Sequence, residues 1–310
     1  NLWKCTDDAP KSWGKVVTED NTPCSACLES KSDRLPSQER APVGKEPGEI
    51  VTFDIWSVSI PFVHGGQRYV IAFHDTCSRV TQPYILGAKS ESARALKEYH
   101  AWAKSEGVTV RKYWTDNAPE FSGQQGETCR NAALALGAHF GTIAPHVPRQ
   151  NGQMERQWRT HCNDTIVGLN RANLPKNFWW YFFMDSCHKR ACMPWPEQPD
   201  MCGWKRWRGR APRVTHLRSC GCLCYPKIVK TPSKIHEKSR PCIHLGRARD
   251  QSGYICYDPA DRRVYVTPHV HVVEDCFPGI TLNGADGVVV PDFAPEFDPN
   301  AELETSTLID

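Results

Sequence analysis

Between residues 50 and 173 the sequence alternates short β-rich runs with helical runs in a fixed order. The Gly65-Gly66 pair after the first β-rich run is typical of a tight turn, which predicts an antiparallel three-stranded meander. The predicted elements are strands over 50–55, 67–73 and 80–86, a helix over 91–105, a strand over 108–116, a helix over 128–137, a strand over 139–144 and a long helix over 153–173. This order predicts the α/β fold class.

Apolar side chains recur at every fourth position of the long helix, at Met154, Trp158, Cys162 and Ile166. A spacing close to the helical repeat gives the helix one apolar stripe, which we expect to face the core. The aromatic block at 178–183 follows this helix. We expect that block to belong to the core rather than to form a binding platform.

The charge of the chain is unevenly distributed. Residues 276–310 carry seven acids and no Lys or Arg, so the remaining residues have 38 basic against 28 acidic side chains. A basic body with an acidic tail favours a polyanionic partner. No window offers about 18 consecutive apolar residues, so a membrane-spanning helix is not expected, and neither is a membrane partner.

Three acids have positions that suggest a shared site. Asp54 follows an apolar strand run, Asp116 ends the predicted strand over 108–116, and Glu155 lies at the start of the long helix. Carboxylates that converge on one edge of a sheet form a hard-oxygen site for Mg²⁺ or Mn²⁺. Two such ions about 4 Å apart support phosphoryl displacement by water or a hydroxyl. The alternative is that each acid is an ordinary turn or cap residue.

The segments around these acids resemble a known family. Thr115–Phe121 resembles the T-D-N-G-G-E-F signature of retroviral and retrotransposon integrases, and Pro148–Arg156 resembles their P-x-Q-N-G-x-x-E-R signature. The segment from Asp54 to Arg79 is similar to that of the copia-type branch (Pseudoviridae), as are Leu174–Trp179 and the segment over 220–254. The chain departs from the pattern at Ala118-Pro119, which replace two glycines and stiffen the loop.

The resemblance implies a ribonuclease-H-like catalytic core, a mixed five-stranded sheet with helices, followed by a small Src-homology-type β-barrel. It implies that Asp54, Asp116 and Glu155 ligate Mg²⁺ or Mn²⁺ and catalyse DNA integration, with processing of the 3′ ends of element cDNA followed by strand transfer. The implied partners are double-stranded DNA, as element ends and target, and further copies of the chain in a homo-multimer. The implied location is the nucleus and cytoplasmic virus-like particles.

An alternative function is compatible with the same residues. A decayed or domesticated copy would bind nucleic acid without catalysis, and the change at Ala118-Pro119 keeps this alternative open. A cut-and-paste transposase or nuclease on the same fold fits less well, since the segment over 220–254 resembles the retroelement branch.

Cys24 and Cys27 have a spacing that suggests zinc. In the family this pair is the second half of a His-His-Cys-Cys site, and a structural zinc site needs four ligands. No histidine precedes His64 in this chain. We therefore expect an incomplete half-site, with Zn²⁺ bound only in a full-length chain whose N-terminus lies upstream of Asn1. The alternative is a pair of ordinary thiols.

Polar and basic residues near the predicted site are candidates for DNA contact. Lys205–Arg210 interleaves cations with Trp207, whose ring we expect to stack on an unpaired base. The candidates are Asn117, Gln150, Asn151, Arg156, Arg159, Lys205, Arg206, Arg208 and Arg210. The alternatives are a solvated charged loop and a salt-bridged helix face.

These observations divide the chain into five predicted parts. They are a remnant of an N-terminal zinc-binding module with its linker (1–45), the integrase core (46–172), a helical and basic extension (173–214), the small β-barrel (215–275) and an acidic, disordered linker (276–310). The barrel is expected from short strands over 241–246, 253–258 and 263–266.

Overall fold

The computed structural model describes residues 42–115, 124–142, 152–228, 235–249 and 252–279. Its first sheet has five strands: β1 (Val51–Ser57), β2 (Tyr69–Asp75), β3 (Thr81–Leu86), β4 (Lys112–Thr115) and β5 (His139–Thr142). Their order across the sheet is β3-β2-β1-β4-β5. The first three strands are antiparallel, whereas β4 pairs in parallel with β1 and β5. This mixed sheet confirms the predicted ribonuclease-H-like α/β class.

Five α-helices accompany the sheet in the part of the chain that the structure describes. They are α1 (Ser92–Ser105), α2 (Gln124–Ala135), α3 (Gly152–Ala172), α4 (Trp179–Cys192) and α5 (Gly203–Arg208). A two-stranded ribbon of β6 (Pro194–Trp195) and β7 (Gln198–Cys202) lies between α4 and α5. The predicted boundaries of the first three helices agree with the observed ones to within a few residues.

One face of the sheet packs against α1. Residues 51, 53 and 55 of β1 are buried in the same cluster as Leu96 and Tyr99. The ring of Phe73 stacks on Tyr99 with centroids 4.5 Å apart, and it lies 5.4 Å from Phe53. Each fully buried aromatic ring of this kind stabilises the fold by roughly 1.5–3 kcal/mol.

The opposite face of the sheet packs against α3 and α4. Val70 and Ala72 of β2 share a buried cluster with Met154 and Trp158 of α3. The aromatic block at 178–183 is buried in the same cluster, as predicted. The sheet is therefore covered by helices on both faces.

The apolar stripe of α3 differs from the predicted one at its far end. Ile166 is 55% exposed, and the buried positions after Trp158 are His161, Thr165, Leu169 and Ala172. A four-residue step overshoots one 3.6-residue turn by about 40°, so three such steps from Met154 rotate Ile166 by roughly 120° away from the core. The prediction for Ile166 was wrong because the drift accumulates.

A polar relay that is buried at His161 and Ser186 and exposed at Arg190 ties α3 to α4. The Nδ1 atom of His161 lies 2.9 Å from the Ser186 hydroxyl, which donates a hydrogen bond of 2.7 Å to Asp164. The guanidinium of Arg190 donates two further bonds of 2.7 Å to the same carboxylate. These hydrogen bonds satisfy the Ser186 hydroxyl and the Asp164 carboxylate, whereas the buried Nε2 atom of His161 has no hydrogen-bond partner among the described residues.

The second sheet is antiparallel and has the order β11-β10-β9-β8-β12. Its strands are β8 (Leu223–Pro226), β9 (Cys242–Arg247), β10 (Tyr254–Asp258), β11 (Arg263–Thr267) and β12 (Val270–Val273). The three predicted barrel strands correspond to β9, β10 and β11. The short strands β8 and β12 were not predicted.

Acidification should destabilise the fold, because two histidines are buried in neutral form. Burial lowers the pKa of His74 to about 3 and that of His161 to about 4. The unfolded chain, with histidine pKa values near 6.5, therefore binds protons first as the pH falls. The free energy of unfolding should decrease from about pH 6.5 towards pH 4, as measured by urea denaturation followed by tryptophan fluorescence.

The His161→Gln variant tests the source of this effect. It should show a shallower dependence of stability on pH than the wild type, whereas His139→Gln, at an exposed position of β5, should keep the wild-type slope. Equal unfolding free energies for the wild type at pH 7 and pH 5 would contradict the prediction.

Candidate functional site

Asp54 lies in the middle of β1, opposite Ala72 of β2 in the antiparallel register. Its side chain is half-buried, and its Oδ1 atom accepts a hydrogen bond of 2.7 Å from the amide of Ile55. Side chains alternate between the two faces of a strand, so Asp54 shares its face with Trp56. This is the face that α3 and α4 cover.

Glu155 is exposed on the first turn of α3. Trp158, three residues later, lies on the adjacent part of the helix surface. Its ring contacts Trp56 of β1, with centroids 5.7 Å apart, and Phe183 of α4 at 5.5 Å. The contact between the two tryptophans brings the first turn of α3 to the sheet face that carries Asp54.

The third predicted carboxylate, Asp116, lies outside the described residues. Thr115, the residue before it, pairs with Phe53, the residue before Asp54, in the parallel register of β1 and β4. Asn117, Gln150 and Asn151 also lie outside, as do Cys24 and Cys27. The predictions for these six residues therefore stay predictions.

In the described ranges, no group of three or more His, Cys, Asp or Glu side chains is placed to hold a metal ion. Asp116 is not among those residues, so this finding does not address the predicted set of three carboxylates. The donor chemistry of Asp54 and Glu155 fits a hard divalent cation, because carboxylate oxygens are the ligands that Mg²⁺ and Mn²⁺ prefer.

Asp75 shows that a strand-end acid of this chain also has a structural role. Its carboxylate is fully buried and accepts hydrogen bonds from the Gly48 amide at 2.8 Å and from the Ser78 amide and hydroxyl at 2.7 and 2.6 Å. Burial raises the pKa of Asp75, and these hydrogen bonds oppose that rise. Asp75 therefore fixes the turn between β2 and β3.

Two candidate DNA-binding residues lie beside Glu155. Arg156 and Arg159 are both exposed on α3, the first adjacent to Glu155 and the second one helical turn beyond it. Positive side chains on this exposed surface can approach a phosphate backbone without unfolding any part of the helix.

The basic segment Lys205–Arg210 is engaged in internal contacts. Lys205 donates to the carbonyl of Asp200 at 2.8 Å, and Arg206 donates to the carbonyl of Lys45 at 2.6 Å. Arg208 forms a two-point ion pair with Glu106 and lies 4.2 Å above the ring of Trp204. Arg210, the last of the candidates, is exposed.

The interpretation of Trp207 as a base-stacking residue was wrong. Trp207 is only 3% exposed, and its ring stacks on Trp102 of α1 with centroids 5.3 Å apart. Trp204 and Trp207 are three residues apart and form the buried face of α5. That helical spacing is the signal by which the sequence indicates a core role for both rings.

The segment that forms the second sheet matches a known family model. A family model described as the retroviral polymerase SH3-like domain matches residues 222–284, a range that contains β8 to β12. The chain is 30% identical over 264 residues to the Pol polyprotein from transposon RE1 of Arabidopsis thaliana, covering 82% of the chain and 17% of that relative. Its homologues are copia-type transposon Pol polyproteins.

Two further relatives and one solved structure are also similar to this chain. The RE2 polyprotein of Arabidopsis thaliana is 28% identical (92% of the chain, 20% of the relative), and that of transposon TNT 1-94 from Nicotiana tabacum is 27% identical (78% and 18%). The solved structure is a chain of the simian T-cell lymphotropic virus intasome in complex with PP2A regulatory subunit B56 gamma. It superposes on this chain with a TM-score of 0.46 and 16% sequence identity, and the superposition covers 82% of this chain and 86% of the intasome chain.

This Pol homologue spans about a fifth of the length of the curated relatives that it matches. The SH3-like match confirms the predicted Src-homology-type barrel. Within the described ranges, no helix is both long enough and apolar enough to cross a membrane.

The sequence did not reveal a pair of facing histidines in this homologue. The Nε2 atoms of His188 on α4 and of His216 in the loop after α5 lie 3.0 Å apart. The two histidines are 28 positions apart in the sequence, a separation that leaves no local pattern by which the sequence could indicate the pair.

The placement of α3 on the sheet can be tested with Trp158→Ala. Loss of the ring contacts with Trp56 and Phe183 should reduce the free energy of unfolding by about 3 kcal/mol or more, as is usual for truncation of a buried tryptophan. Ile166→Ala, on the exposed side of the same helix, should change it by less than about 0.5 kcal/mol. Urea denaturation of both variants is the measurement, and similar losses in the two would contradict this packing.

Proposed function

We propose that this chain is the integrase segment of a copia-type element. It would process the 3′ ends of element cDNA and join those ends to double-stranded target DNA. The single observation that carries the proposal is the contact between Trp56 and Trp158, which brings the segments of Asp54 and Glu155 to one face of the sheet. The homology to copia-type Pol polyproteins supports it.

The carboxylates of Asp54, Asp116 and Glu155 would hold Mg²⁺ or Mn²⁺. When bound, such ions would lower the pKa of an attacking water or DNA hydroxyl and stabilise the leaving oxygen. The protein's part is positioning: β1 fixes Asp54, and the packing of Trp158 fixes the first turn of α3. The exposure of Glu155 leaves its carboxylate accessible to a substrate as large as DNA.

Double-stranded DNA would approach over α3. Arg156 and Arg159 would bind backbone phosphates next to Glu155, and phosphate contacts of this kind carry little sequence selectivity. Asn117, Gln150 and Asn151 are further proposed contacts. Lys205, Arg206 and Arg208 would have to give up their internal contacts in order to bind DNA, so Arg210 is the stronger candidate in that segment.

The assembly and location follow from the same proposal. The active form would be a homo-multimer, because two DNA ends have to be joined to one target in a coordinated way. It would act in the nucleus after assembly in cytoplasmic virus-like particles.

Zn²⁺ would bind Cys24 and Cys27 only when two further ligands complete the half-site.

A strand-transfer assay with Mg²⁺ and short element-end duplexes tests the catalytic proposal. Asp54→Asn and Glu155→Gln should each reduce joined product at least about 100-fold, since even the outer partners of metal ligands cost 10- to 100-fold when they are removed. Glu98→Gln removes an exposed carboxylate from α1, which packs on the other face of the sheet, and should retain wild-type activity.

Two outcomes would contradict the catalytic proposal. Joined product that persists in Glu155→Gln would show that the activity arises elsewhere. A wild-type chain that binds the duplexes tightly but yields no product would favour the decayed or domesticated copy.

The DNA path over α3 can be tested with Arg159→Gln. Loss of one phosphate contact should weaken duplex binding and reduce the slope of log K against log salt concentration by about 0.9. Fluorescence anisotropy between low and moderate salt gives both quantities. Lys97→Gln, which removes an exposed positive charge from α1, is the matched control, and an unchanged slope in Arg159→Gln would exclude this path.

A further inference from the structure

Helix α3 leaves one face uncovered along most of its length. Over residues 156–171, which the structure describes throughout, the exposed positions carry arginines, asparagines and aliphatic residues but no acid. We call these positions the exposed α3 face. Ile166 and Val167 are 55% and 66% exposed on it. Because Ile166 lies seven residues beyond Arg159, which is two helical turns within about 20°, the two side chains occupy one line of the helix surface.

The exposed α3 face has positive charge that its own surroundings do not neutralise. Arg159 and Arg171 have no ion-pair partner among the residues that the structure describes. Asp164, on the flank of the same helix, pairs with Arg190 of α4 at 2.7 Å, so its carboxylate is already engaged. Adjacent aliphatic side chains bordered by cations favour a partner that is both apolar and acidic.

The chain itself returns to this face at the end of the described residues. The guanidinium of Arg171 lies 4.6 Å from the centroid of the Phe277 ring. The amide of Asn173 donates a hydrogen bond of 3.5 Å to the carbonyl of Gly279, whose backbone packs so closely on Ala172 that a Cβ atom would meet the Ala172 carbonyl. The chain beyond residue 279 therefore starts at the C-terminal end of α3.

The segment over 280–310 has the composition that the exposed α3 face favours. It carries seven acids and no Lys or Arg. Its stretch over 292–298 places three of these acids around Phe293 and Phe297. A segment of this kind offers carboxylates to arginines and rings to aliphatic side chains at the same time.

The segment is long enough to reach the whole face. The 13 steps of chain from Gly279 to Asp292 span up to about 43 Å when extended. Arg159 lies only about 20 Å along the helix axis from the end of α3. The acidic stretch can therefore lie beside Ile166 and Val167 and still extend to Arg159.

We propose that the segment over 280–310 docks on the exposed α3 face, with its phenyl rings on Ile166 and Val167 and its acids on Arg159 and Arg171. The docked segment would cover the surface over which duplex DNA approaches in the proposed function, so it would compete with DNA. The inference rests on the proposed function for that competition, and it adds a regulation of the same site by the chain itself.

The expected size of the effect follows from the covalent attachment of the segment. A short linker gives it an effective concentration on the order of 1 mM. A contact with a dissociation constant of about 0.1 mM would then be occupied in roughly 90% of the molecules, and release of the segment would tighten DNA binding about 10-fold.

The test measures duplex binding by fluorescence anisotropy with full chains in buffer without Mg²⁺, so that no strand is processed. Phe293→Ser combined with Phe297→Ser removes the rings without changing the net charge, and it should tighten duplex binding about 10-fold. Val167→Ser should act in the same direction, by about 3-fold or more. Leu134→Ser changes an aliphatic residue of α2 that is also 55% exposed, and it should leave the affinity unchanged.

A double-mutant cycle separates docking from a direct effect of Val167 on DNA. In the chain that carries both phenylalanine changes, Val167→Ser should have no further effect, because the segment is already released. Fully additive effects would overturn the proposal. An unchanged duplex affinity in the double phenylalanine variant would overturn it as well.

A fluorescein-labelled peptide of residues 286–304 measures docking without DNA. It should bind the double phenylalanine variant, whose own segment is released, several-fold more tightly than the wild type. Equal binding to the two chains would overturn docking within one chain. If the wild type sediments as a dimer and the double phenylalanine variant as a monomer, the segment docks on a second copy, and docking within one chain is again overturned.

Failure of this inference differs from failure of the proposed function. If Arg159→Gln reduces duplex binding and its salt dependence while the double phenylalanine variant matches the wild type, only the docking inference fails. If the peptide binds in a Val167-dependent manner and the duplex does not displace it, docking holds, and its competition with DNA is overturned together with the proposed DNA path over α3.

Discussion

The ring of Trp158 packs against Trp56 of β1 and Phe183 of α4, and this packing determines where α3 crosses the first sheet. The helix carries Glu155 on its first turn, and the strand carries Asp54 on the face that the helix covers. Any metal chemistry shared by these two carboxylates depends on that crossing point. The polar relay from His161 to Arg190 also fixes this helix against α4, and the His161 ring contacts the same Phe183 with centroids 5.7 Å apart.

The strands of the first sheet could be predicted from the sequence because each is a short apolar run bounded by turn residues. Hydrophobic periodicity indicates elements of this kind directly. The hypothesis that Asp54, Asp116 and Glu155 form one site came from the resemblance of the segments around them to family motifs, and it stays a prediction. Errors arose where side-chain direction mattered. The four-residue repeat to Ile166 ignored helical drift, and Trp207 was interpreted from its basic neighbours rather than from its spacing to Trp204.

Long-range contacts explain what the sequence could not indicate. Strands β8 and β12 have only four residues each, and they pair with each other across more than forty residues of chain. His188 and His216 meet because the loop after α5 returns to α4. Such contacts form only when the second sheet packs against the first part of the fold. No local sequence pattern indicates that packing.

Helix α4 joins the two sheets physically. Phe183 contacts Trp158 on the side of the first sheet. Phe178, the residue immediately before the helix, lies 5.1 Å from Tyr257 of β10 on the side of the second sheet. One buried cluster therefore continues from α3 through α4 to Ile243 and Leu245 of β9. Because this cluster is continuous, a substitution that loosens α4 should weaken the packing of both sheets and not of one alone.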